Sequence, residues 1–335
     1  MTRRPGFTMP EVLVTMFVVA IGLTSVMATF PYGVKQMADA NAIDRYTTHA
    51  YSMDALVRTE WKVNAVERSG NNEDYWNALD NPGSHPNATP ANTPLPPVAA
   101  TSTEPSYPVF LDSMGVVGRG TDSNAIWVGD KPSSANGNTP FTFIPRRNMS
   151  QVGSNITLAM WMWSQKDGFG FNEDGSPSTV KAEMREYRYN ALAVLQRPVN
   201  RDRTSATLKV VVFSGRRPAP FPTGSEVVLT GVSFNVNSSQ LSLPVSALTT
   251  ELKKGSWIMD GTVQTGTAAG QIRHANFYRI VSVTENTAGT YDIELHTPIK
   301  RTDGQQGGTY TGTVVIPAGV ATVFERPALT GSINP

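Results

Sequence analysis

A single carboxylate, Glu11, opens an uncharged stretch covering residues 12–30. An acid at the edge of hydrocarbon is costly and is tolerated chiefly where a cation pairs with it. The chemistry on offer there is ion pairing, with Glu11 as one half. A second oxygen-rich cluster lies in Asp167-Gly168-Phe169-Gly170-Phe171-Asn172-Glu173-Asp174-Gly175. Asp167, Asn172 and Asp174 are candidate calcium ligands, since calcium takes oxygen donors from flexible loops. The spacing is not that of an EF-hand, and a solvated acidic turn explains the same residues. The four histidines, His49, His85, His274 and His296, form no i, i+4 metal pair and no HExxH motif. No GxSxG elbow, phosphate-binding loop or dinucleotide fingerprint occurs, so nothing positive points to an enzyme. With no cysteine, disulfides, thiolate zinc sites and thiol nucleophiles are excluded.

The uncharged stretch is long enough for a helix to cross a bilayer core of roughly 30 Å at about 1.5 Å per residue. Arg3 and Arg4 precede it. The sequence Gly6-Phe7-Thr8-Met9-Pro10-Glu11, followed by that stretch, resembles the class III signal of type IV pilins and of type II secretion pseudopilins. The resemblance implies that residues 1–6 are a leader. A membrane prepilin peptidase would cut between Gly6 and Phe7 and methylate the new amine on Phe7. Glu11 would then be the fifth mature residue. Met9 and Pro10 stand where leucine and isoleucine or valine are commonest in that family. The implied partners are the peptidase, the inner membrane and other pilin or pseudopilin subunits. The implied location is the bacterial inner membrane for the precursor, with an extracytoplasmic head, and then a pilus or pseudopilus. Pairing of Glu11 with the Phe7 amine of a neighbouring copy would fix one axial offset between subunits.

Two other readings fit the same residues. One is a cleavable secretory signal ending at Val26-Met27-Ala28, for which Glu11 is out of place. The other is an uncleaved signal anchor oriented by Arg3 and Arg4. Either would make the chain an exported enzyme or binding protein instead of a filament subunit.

The elements that must position these residues follow from the pattern. Residues 7–30 form the membrane or filament-core helix, and residues 31–69 continue it. Pro31 is expected to kink or loosen it, by removing one backbone donor. Val34, Met37, Ala38, Ala42, Ile43, Tyr46, Ala50, Met53, Val57 and Trp61 recur at helical steps and predict one apolar face. Ser69-Gly70-Asn71-Asn72 is the expected stop. At 1.5 Å per residue the whole helix would be about 90 Å long. Residues 70–108 are a proline- and asparagine-rich loop. Residues 109–215 read as strands, best at 206–213, without intervening helix, which implies an antiparallel sheet on the helix. Residues 216–335 read as a further β module of barrel or sandwich type, with Asp260-Gly261 as one turn signal. The fold class is α+β.

Net charge is +1, so no strong field favours nucleic acid. The length of 335 residues makes the head bulky for a densely repeating filament. The resemblance therefore implies a minor pilin or minor pseudopilin. It needs no cofactor apart from the calcium candidate.

Overall fold

The computed structural model describes residues 6, 8–62, 66, 79, 105–112, 127–128, 146–148, 189–198, 205–215, 226–245, 248, 252–262, 273–286, 289–300, 308–317 and 319–331. The chain divides into two compact units, Met1–Thr48 and His49–Pro335. One helix, α1 (Met9–Trp61), supplies the body of the first unit and enters the second.

Within the first unit, the large apolar side chains from Met9 to Ile43 are exposed. Every hydroxyl in the uncharged stretch is paired to the helix backbone. Thr15, Thr24, Ser25 and Thr29 donate to the carbonyls of Glu11, Ala20, Ile21 and Val26 at 2.7, 2.7, 2.9 and 3.0 Å. A polar group satisfied within its own helix can enter hydrocarbon cheaply. The helix is assigned continuously through Pro31, so the expected weakness there does not end it. Residues 63–65 and 67–72 lie outside the described residues, and with them the expected stop.

The predicted apolar stripe divides at the unit boundary. Val34, Met37 and Ile43 are exposed, whereas Ala50, Met53, Val57 and Trp61 are buried. The lower stripe lies on a six-stranded sheet of order β12-β5-β4-β1-β3-β2. These strands are β1 (Val109–Asp112), β2 (Trp127–Val128), β3 (Arg146–Asn148), β4 (Tyr189–Gln196), β5 (Ser205–Ser214) and β12 (Val320–Thr330). All pairings are antiparallel except β1 with β3.

Side chains alternate across a strand, so β4 has two faces to cover. It is buried along its whole length. The face carrying Tyr189, Ala191 and Ala193 meets α1, where the Tyr189 ring centroid lies 6.0 Å from that of His49. The opposite face carries Leu192 and Val194, which join Phe110, Val211 and Phe213 in a core shared with Met259 and Val315 of the second sheet and with Ala275. Arg58 ties α1 to the edge strand. Its Nη2 donates to the Pro327 carbonyl at 2.7 Å, and its Nε pairs with Asp54 at 3.1 Å.

The second sheet has the order β6-β11-β8-β9-β10-β7 and is antiparallel throughout. Its strands are β6 (Glu226–Asn235), β7 (Gln240–Pro244), β8 (Trp257–Asp260), β9 (Asn276–Glu285), β10 (Thr290–Leu295) and β11 (Thr309–Pro317). The end strands β6 and β7 are joined by residues 236–239, where Asn237 takes φ 66°, a left-handed value that asparagine tolerates. The sheet wraps a core that includes Phe234, Leu243, Ile258, Ile280, Ile293 and Val314. After β11 the chain leaves this sheet, and β12 pairs with β5 of the first. Residues beyond 216 thus add a strand to the first sheet.

Gly312 sits where β11 shifts register against β6. A Cβ there would collide with Thr262 Oγ1 and lie 2.9 Å from the Phe234 ring. Gly312→Ala is expected to destabilise the head by about 1–3 kcal/mol through overpacking. Urea unfolding of the full chain in detergent checks this; an unchanged midpoint contradicts it.

Candidate functional site

Gly6 and Glu11 are both exposed, while Phe7 lies outside the described residues. Thr8 precedes α1, and its carbonyl accepts the N–H groups of Glu11 at 3.0 Å and Val12 at 3.3 Å. Thr8-Met9-Pro10-Glu11 has the spacing of a capping box, with an acid three positions after a hydroxyl residue. Pro10 falls in the first turn, where its missing N–H has no intrahelical partner to lose. Glu11 also sits at the positive end of the helix dipole, which favours a carboxylate there. Among the described residues it forms no ion pair. The helix that follows is long and apolar enough to cross a membrane by length and composition, and none of its apolar window is buried.

These features meet at one end of the chain: a glycine with open space around it, an exposed acid in the first turn and an unpartnered apolar helix. The family model for the prokaryotic N-terminal methylation motif matches residues 1–27. The chain carries a type IV pilin-like prepilin signal. The signal implies processing by a prepilin peptidase and a membrane-anchored precursor. No curated protein matches the chain. Among solved structures, a phage phi92 endosialidase shares 14% identity over 42% of this chain and 18% of that one, with a TM-score of 0.18. A likeness at that level carries no argument.

The head holds a buried polar cluster that the sequence did not announce. Asp260, expected in a turn, is instead the buried last residue of β8. Its Oδ2 lies 2.5 Å from His274 Nδ1 and accepts the Tyr310 hydroxyl at 2.6 Å. Its Oδ1 accepts the Thr262 hydroxyl at 2.5 Å and the Thr262 N–H at 3.1 Å. Thr262 Oγ1 in turn accepts the Thr313 N–H at 3.0 Å. The Tyr310 ring stacks on Phe234, with centroids 5.0 Å apart. The pairing of an acid, an imidazole and a hydroxyl suggests nucleophilic chemistry, but all three side chains are enclosed and offer a substrate no approach. The cluster ties β8, β11 and the segment before β9 together.

The calcium candidates Asp167, Asn172 and Asp174 lie outside the described residues. Among the described residues no group of three or more histidines and carboxylates is placed to hold a metal ion.

Proposed function

We propose that the chain is a minor pilin or minor pseudopilin that assembles through its N-terminal helix into a pilus or secretion pseudopilus. The observation that supports this most directly is the prepilin signal running straight into a helix with a wholly exposed apolar window. A helix of that kind is buried by lipid before assembly and by neighbouring helices after it. Peptidase cleavage leaves a cationic amine on Phe7, four residues before Glu11. In the filament the amine of one subunit pairs with Glu11 of the next, and the low dielectric makes an unpaired partner costly. The bulk of the head suits a tip or sparse position, where it makes contacts instead of performing catalysis. This reading requires no cofactor and no nucleic-acid partner.

Glu11→Leu tests the pairing. Membrane insertion and removal of the leader should be retained, because the apolar stretch and Gly6-Phe7 are intact. Incorporation into sheared filaments should fall at least about tenfold, as expected for loss of a buried charge partner. Wild-type incorporation of the processed variant contradicts it.

A further inference from the structure

The two sheets of the head meet at a cavity of about 390 Å³. Lys209 on β5 stands on one wall and Asn276 at the start of β9 on the other. The Lys209 Nζ donates to Asn276 Oδ1 at 3.1 Å and to the Ala275 carbonyl at 2.8 Å. That contact fixes the amide orientation, with the carbonyl toward the amine. Asn276 Nδ2 is buried and has no hydrogen-bond partner among the described residues. The Asn276 side chain also interacts with the Tyr278 hydroxyl, which favours the phenolate. Glu325 on β12 is the cross-strand partner of Lys209 in the sheet register and lines the same cavity. An amine, a carboxamide, a carboxylate and a phenol therefore line one cavity, with Asn276 and Tyr278 buried, Lys209 half-buried and Glu325 exposed.

We propose that Lys209 and Asn276 form an intramolecular isopeptide bond that joins the two sheets covalently. The neutral Nζ attacks Asn276 Cγ, and a new N–C bond forms as the Cγ–Nδ2 bond breaks. Glu325 accepts the proton released by Nζ. Glu325 then returns that proton to the departing nitrogen. The nitrogen leaves as ammonia through the cavity, so amine plus carboxamide gives secondary amide plus ammonia with no other reactant.

Two further observations support the step. Burial pushes the Lys209 amine down to about 8 against the opposing pull of Glu325, so a neutral nucleophile is accessible near neutral pH. Burial, followed by the charge of Asp260, pushes the Tyr278 phenol upward, so the ring stays neutral beside the carboxamide. The link would also serve a need. The chain has no cysteine, so a covalent tie between its sheets can come only from chemistry other than a disulfide.

The inference is independent of the N-terminal signal. Intact mass of the full-length protein, purified in detergent, tests it. The mass should fall about 17 Da below the value for its own N-terminus, the weight of one ammonia. Proteolysis should yield a branched peptide joining the Lys209 and Asn276 segments. Lys209→Arg and Asn276→Ala should each restore the missing mass, with unchanged circular dichroism as the check on folding. Glu325→Gln should leave a folded, wholly or partly unlinked protein. A full mass for folded wild type overturns the proposal. So does a 17 Da deficit that persists in Lys209→Arg, because that would be a cyclic imide at an asparagine.

Discussion

Gly6→Val leaves the chain at its precursor length. A Cβ at Gly6 meets nothing within 4 Å, and the residue does not take a left-handed conformation, so the substitution places no strain on the fold. Its effect must arise outside the chain, where a peptidase has to bring the carbonyl of residue 6 against its catalytic groups. A branched side chain at the scissile bond displaces that carbonyl, and misplacement by about 1 Å can cost on the order of a hundredfold in rate. The expected result is a membrane-inserted precursor with Glu11 and the apolar helix intact, no free amine on Phe7 and no filament incorporation. Immunoblots of membrane and sheared fractions read this out. Wild-type processing of Gly6→Val would mean that the cut is made elsewhere.

The other large effect lies in the head. Asp260→Ala removes the acceptor for His274, for the Tyr310 hydroxyl and for both donors of Thr262, all within the core. Breaking a buried hydrogen-bonded pair by removing one partner costs about 3–5 kcal/mol, because the donors left behind stay desolvated. A loss of that size is a large share of the stability of an ordinary domain, about 5–15 kcal/mol. Urea unfolding of the full chain in detergent should show it, with processing of the leader unaffected. A loss below about 1 kcal/mol would mean that water or a neighbouring group takes the place of the carboxylate.

The N-terminal site was legible in the sequence because its information is local. A leader, a Gly-Phe junction, one acid and an uncharged helix are contiguous, and none needs tertiary structure to be recognised. Strands were legible where β-branched and apolar residues run together, as at 206–213, which falls within β5. The periodicity at residues 34–61 located the helix but not the extent of its partner. Spacing says that a face is apolar, and only the fold says that burial begins near His49. Asp260-Gly261 misled because the same dipeptide that favours turns also ends β8, where Gly261 lies against Met259 and Val315. His274 and Tyr310 stand 14 and 50 residues from Asp260, distances that no motif records. The pairing of β12 with β5 was hidden for the same reason, since the two strands are more than a hundred residues apart.

The most direct measurement is the N-terminal residue and intact mass of the mature protein recovered from membranes. The prepilin signal predicts a chain that begins at Phe7, lacks residues 1–6 and carries one methyl group of about 14 Da on its amine. A chain that begins after Ala28, or one that still begins at the leader, would contradict it.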